Sequence, residues 1–312
     1  MSIICIAAIG SLAYFYYFSQ LTTGSSDDDD DDDDNGQLST SLIIDHTCLK
    51  LNQIPDSVID TIQSDVKLHY AHTSHGGQIT TGLSRVESAD SKYDHSRAAS
   101  SLPNTEGALC IFDGQESDTY ISPDECWETA GGVQDTRDVI NNNPTITVSM
   151  WCWCRQVNTY STAQIETYLQ TLDDLETEYR NAGRDIRFVY MTGNADRGHY
   201  PEGTPAESGN ENPSEGYHRY LNNEIIREFC RDNNKILLDF ADIECWLYDG
   251  SGNPSDQATY NYDPGTGSET VPKRHWQYSN VSQSAHTTNE NCENKAKAVW
   301  WMLARISGWN PS

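Results

Sequence analysis

The stretch His72-Thr73-Ser74-His75-Gly76-Gly77 concentrates groups that can do chemistry. A serine hydroxyl is a weak nucleophile until a base takes its proton, and histidine is the usual base. On a tight turn behind a buried strand, such a serine presents its hydroxyl at a sheet edge. The glycines after it let backbone N–H groups approach a developing oxyanion. His72 and His75 flank Ser74, and the best-placed distant imidazole is His286, in Ser284-Ala285-His286-Thr287-Thr288-Asn289. Ser74 as nucleophile and His286 as base would perform acyl transfer. The bland alternatives are a cap or turn for Ser74 and an ordinary helix-start position for His286.

The elements that must position these groups alternate. Residues 66–71 (Val-Lys-Leu-His-Tyr-Ala) read as a buried strand entering the Ser74 turn. Further strands are expected at 108–112, 144–151, 186–191 and 235–241, the segments richest in apolar and β-branched residues. Helices are expected at 133–141, at 162–180 with Ile165, Leu169, Leu172 and Leu175 on one face, at 217–233 and at 291–307. Strands alternating with helices imply an α/β three-layer sandwich, a mostly parallel sheet of about five strands with helices on both faces. In such sheets sites form at the carboxyl ends of strands. Residues 196–216 and 249–280 are long Gly/Pro/Asn/Asp-rich insertions, a type of loop that often carries function.

The order of elements and groups from 66 to 306 resembles the SGNH (GDSL-type) hydrolases. That resemblance implies a nucleophile at Ser74, although His72-Thr73-Ser74 stands where the family has Gly-Asp-Ser. It implies an oxyanion hole from the N–H groups of Ser74 and Gly132 (or Gly131), and a base at His286. Two blocks depart from it. The family's Gly-x-Asn-Asp is replaced by Trp151-Cys152-Trp153-Cys154-Arg155-Gln156, leaving Gln156 or Asn158 as the side-chain donor. Gln283 stands where the family has the aspartate that orients the histidine, so Asp242 or Glu244 is the candidate acid. Asn194, at the end of strand 186–191, would line the site together with His72 and His75. The activity implied is that of an esterase acting on acylated carbohydrate or another small ester, without a cofactor. The alternative is a non-catalytic surface domain on the same fold.

A metal reading attaches to His69, His72 and His75. Residues 69 and 72 of an extended strand face opposite sides, whereas zinc needs three or four convergent ligands. Trp151, Trp153, Trp300 and Trp301 have the spacing of core residues, with sugar stacking as the alternative use.

The first 21 residues are almost uncharged and apolar from Ile3 to Phe18, the pattern of a membrane anchor or a signal segment. Residues 22–41 form an acidic spacer, and 42–312 the folded domain. Net charge is −27, and the run of eight aspartates at 27–34 leaves −19 on the rest. So negative a chain disfavours nucleic acid as a partner. Beyond Cys5, the cysteines are Cys48, Cys110, Cys126, Cys152, Cys154, Cys230, Cys245 and Cys292. Their even number favours up to four disulfides, and with them an extracytoplasmic location. Cys152-Trp153-Cys154 is too tight for a zinc knuckle. The sequon Asn280-Val281-Ser282 agrees with an exterior location.

Overall fold

The computed structural model describes residues 40–195 and 213–311. The N-terminal apolar segment, the aspartate run and most of the 196–216 insertion lie outside them. Among the described residues no helix is long and apolar enough to cross a membrane.

Seven parallel strands form the central sheet: β1 (Leu42–Ile44), β2 (Lys67–His72), β3 (His95–Ala99), β4 (Leu109–Asp113), β5 (Val148–Cys152), β6 (Arg187–Met191) and β7 (Ile236–Leu238). Their order is β1-β7-β6-β5-β2-β4-β3, every pairing parallel. The inner strands β4 and β5 are buried at all five positions, the mark of a sheet covered on both faces. The five expected strands are all present. The two additional ones are edges: β1 has three residues, and β3 (His-Ser-Arg-Ala-Ala) is polar and half-exposed. Neither carries an apolar pattern long enough to read.

The helices are α1 (Asp56–Asp65), α2 (Gly77–Ala89), α3 (Ala130–Asn142), α4 (Thr162–Asn181), α5 (Pro213–Asp232), the short α6 (Phe240–Cys245) and α7 (Asn289–Ile306). α7 packs against α2 and α1 on one face of the sheet, while α4 packs on α5 and on the strand β6. Trp127, Trp151, Trp153 and Tyr168 interlock edge-to-face on the α4 side, with ring centroids 4.8 to 6.1 Å apart. Trp300 and Trp301 are buried on α7. These tryptophans are core, and no sugar platform is built from them.

The insertion at 249–280 folds partly into two-stranded sheets. β9 (Pro254–Gln257) pairs with β8 (Trp246–Tyr248), and β10 (Thr259–Tyr262) pairs with β11 (Glu269–Pro272).

The disulfide expectation is not met. All eight described cysteines are free, and seven are buried as small apolar groups. Burial pushes the thiols of Cys126 and Cys152 up to about 12. The case for an oxidising compartment therefore loses its cysteine argument.

Candidate active site

β2 and β5 are neighbours, yet the chain leaves them in opposite directions: from β2 toward β3 and β4, from β5 toward β6 and β7. The crevice beyond their carboxyl ends is the topological switch point of the sheet, where ligands of open α/β folds bind. Ser74 follows β2 and Cys154 follows β5. Their side chains meet there, Ser74 Oγ lying 3.1 Å from Cys154 Sγ. His75 Nδ1 faces the same sulfur at 3.0 Å. The ring of His286 stacks on His75 with centroids 4.9 Å apart and planes at 26°. Four reactive groups from three loops thus converge. A cavity of about 10 Å³ lies elsewhere, among His69, Trp127, Trp151 and Phe188, with room for no more than one water.

The local backbone explains each placement. Ser74–Gly76 forms a 3₁₀ turn that runs directly into α2, so Ser74 begins a helix. The first N–H groups of a helix have no partner within it. Thr73, in the capping position, makes no side-chain cap, and its buried Oγ1 has no hydrogen-bond partner. Gly76 is required because a Cβ there would sit 2.2 Å from His72 Cβ. On the opposite side, the Cys154 N–H donates to Gln156 Oε1 at 2.9 Å.

His286 sits on a strained turn. Ala285 and His286 both have positive φ, 38° and 70°. Ser284 and Thr287 close that turn by mutual backbone hydrogen bonds of 3.1 and 2.8 Å. Two left-handed non-glycine residues in succession cost of order 1–3 kcal/mol each unless the surroundings over-determine them. Here they do: Gln78 Nε2 donates to the Ala285 carbonyl at 2.8 Å, and Arg274 Nη1 to the His286 carbonyl at 2.8 Å.

Behind Gln78 lies a buried ionic network. Lys295 Nζ donates to Gln78 Oε1 and to Glu244 Oε2. Glu244 also accepts from the Ala195 N–H at 2.6 Å and from Asn291 Nδ2 at 3.3 Å. Burial is the largest single influence on Glu244 and would raise its pKa. The charges of Lys295 and Arg274 and the donated hydrogen bonds outweigh it, holding the carboxyl below the usual range. Glu244 therefore reaches the His286 turn indirectly, through Lys295 and Gln78 and through Asn291, whose amide also donates to Thr287 Oγ1 at 2.8 Å.

Several expected assignments need correction. Glu244, an expected acid for His286, is paired with Lys295. Asp242, the other candidate, lies on α6 and accepts from His46 Nδ1 at 2.5 Å, beside the edge strand β1. Gly132 donates its N–H to Thr129 Oγ1 at 3.1 Å as part of the α3 cap, and it packs on the turn at 123–126. Gln156 lies beside Cys154, its Oε1 accepting from the Cys154 N–H; its Nε2, the atom that would donate, is not used by that bond. Asn158 is buried and donates to Glu215 Oε2 at 3.4 Å. Gln283 accepts from the Asn289 N–H at 3.0 Å, at the start of α7. Asn194 follows β6, next to β5; its amide donates to the Ala195 carbonyl, and its buried Oδ1 has no hydrogen-bond partner.

The three histidines of β2 and its turn go to different partners. His69 Nδ1 faces Ser149 Oγ at 2.9 Å, and burial pulls its pKa down to about 4. His72 Nε2 faces Asp113 Oδ1 at 3.0 Å, and Arg97 holds the other oxygen of Asp113. No metal centre joins them. Among the described residues, three ligating atoms come within 4.8 Å of one another at Asp45, His46 and Asp242.

The Asp113 carboxyl is held below its ordinary pKa. Burial, the largest influence, opposes this, but His72 and Arg97 prevail. A depressed carboxylate stabilises the fold above its unfolded pKa of about 3.9 and loses that contribution as pH falls through the folded value. Asp113→Asn should therefore cost about 1.5–3 kcal/mol at neutral pH. It should also flatten the fall in urea midpoint below about pH 4. An unchanged acid limb in the variant would refute the assignment.

Cys154 is the functional candidate that the sequence reading passed over. Its place two residues beyond a buried strand was the available signal, masked by the expectation of disulfides. The chain matches no protein-family model and no curated protein.

Proposed function

We propose that this protein is a hydrolase of acyl esters working at the β2/β5 switch point. The observation that carries the reading is that Ser74 Oγ and His75 Nδ1 both lie within 3.1 Å of Cys154 Sγ, with His286 stacked on His75. A nucleophile within hydrogen-bond reach of an imidazole is the signature of an activated acyl-transfer site. The Ser74 backbone N–H, at the start of the turn that leads into α2, is the donor that the resemblance gives to the oxyanion. The over-determined turn under His286 agrees with strain kept for function. The SGNH resemblance favours an acylated carbohydrate or another small ester, and the apolar N-terminal run favours a membrane-attached or secreted location.

The test is hydrolysis of short-chain and sugar acetyl esters by the purified protein. Turnover should fall on the order of 10³-fold or more in Ser74→Ala/Cys154→Ala, because residues acting as one unit fail together. Turnover that persists would move the chemistry elsewhere.

A second reading, a non-catalytic binding domain on the same fold, is favoured by one feature. The Gly132 N–H, an oxyanion donor that the resemblance implies, is engaged in capping, and Asp242 and Glu244 have other partners. Absence of turnover on every ester, from wild type and variant alike, would favour it.

A further inference from the structure

Resting on the ester-hydrolase reading, we propose that the attacking atom is Cys154 Sγ, with His75 as its base and Ser74 as its hydrogen-bonding neighbour. An imidazole nitrogen faces the sulfur at 3.0 Å, whereas the hydrogen bond of Ser74 Oγ is to that same sulfur. A thiol gives up its proton far more readily than a serine hydroxyl, so the base stands against the group it can more easily activate.

Exposure agrees. Cys154 is the one described cysteine that is not buried, and the other seven are shut into the core. Its backbone is pinned by the Gln156 cap, and the ring of His75 is held between the sulfur and the face of His286. The proposal requires the neutral ring of His75 to carry its proton on Nε2, so that Nδ1, which faces the sulfur at 3.0 Å, receives the thiol proton.

The reaction balances without an outside oxidant or reductant. The thiol proton passes to His75 Nδ1 and the sulfur lone pair forms a C–S bond to the ester carbonyl carbon. The π pair moves to the carbonyl oxygen, which becomes the oxyanion of the tetrahedral intermediate. Collapse re-forms the carbonyl and breaks the ester C–O bond, and the leaving alkoxide takes the proton from His75. A thioester on Cys154 remains. Water then gives a proton to His75 and attacks the thioester, which breaks its C–S bond. The carboxylic acid leaves, and the sulfur recovers its proton from His75. Ester and water become acid and alcohol.

The experiment incubates the full chain with p-nitrophenyl acetate, quenches in acid and locates the acetyl group by peptide mass spectrometry. Acetyl on Cys154, in wild type and in Ser74→Ala, is the expected result. Acetyl on Ser74 would overturn the assignment and leave the hydrolase reading standing. No acetylation and no p-nitrophenol release would overturn both. A second arm needs no turnover: iodoacetamide should label Cys154 first, the one described cysteine that is not buried, and His75→Gln should slow that labelling about tenfold. Equal labelling rates in a folded His75→Gln protein would overturn the pairing. The wild-type acetylation result does not depend on that variant folding.

Discussion

Lys295→Met should destabilise the protein by about 3–5 kcal/mol, the range for breaking a buried ion pair from one side. Lys295 and Glu244 are both fully buried, and Lys295 Nζ also lies 3.7 Å from the centre of the Phe240 ring. Removing the ammonium leaves Glu244 desolvated beside two weaker donors, Ala195 N–H and Asn291 Nδ2. Gln78 also loses the donor to its carbonyl oxygen, although its amide still holds the Ala285 carbonyl. Both effects reach the His286 turn.

The pH dependence has a definite sign. In the wild type Glu244 is depressed, so its contribution is present above an unfolded pKa of about 4.3 and lost as pH falls through the folded value. In Lys295→Met only the Arg274 charge is left to oppose burial, and the Glu244 pKa rises. The variant is then penalised most at neutral pH, and its deficit should shrink as pH falls toward about 5. Urea midpoints at the two pH values measure this. Lys295→Met/Glu244→Gln should recover part of the loss, since no unpaired charge remains. A deficit independent of pH, with no recovery in the double variant, would mean that Lys295 acts through packing alone.

Gly82→Ala should also be strongly damaging, against the helix propensity that favours alanine by about 1 kcal/mol. α2 and α7 approach so closely at Gly82 that a Cβ would lie 1.9 Å from the Cys292 carbonyl oxygen and 2.9 Å from Ala296 Cβ. The first of these is backbone and cannot swing aside, so the helices must separate. Overpacking of this kind costs about 1–3 kcal/mol.

The consequence extends to the site, because α2 begins at the Ser74 turn and α7 follows the His286 turn. A shift of about 1 Å between them is enough for roughly a 10²-fold loss of rate at a site that works by positioning. Gly131→Ala is the control. Its Cβ would meet nothing closer than Thr129 Oγ1 at 3.7 Å, and it should be neutral or slightly stabilising. Equal melting temperatures for the two variants would show that the α2–α7 contact relaxes without cost.

The layered α/β architecture was legible in the sequence, because it depends on local pattern. The runs that became β4 and β6 are apolar over at least four residues, the shorter or mixed β2, β5 and β7 still concentrate apolar residues, and the α4 leucines repeat at helical spacing. The Ser74 turn and the His286 segment stood out as candidates from residue type and from their positions beside a strand and a helix. The tertiary structure alone decided the rest. That β2 and β5 lie side by side, bringing Cys154 to Ser74 and His75, follows from strand order, which connects residues some 80 positions apart. That Glu244 serves Lys295 while Asp242 serves His46 depends on which helix covers which strand end. Periodicity reports which face of an element is apolar; it carries no information about which distant polar group satisfies a buried charge. Disulfides were expected from an even count of cysteines, but a count cannot distinguish a thiol packed in a core from one near a partner. Only the folded positions make that distinction.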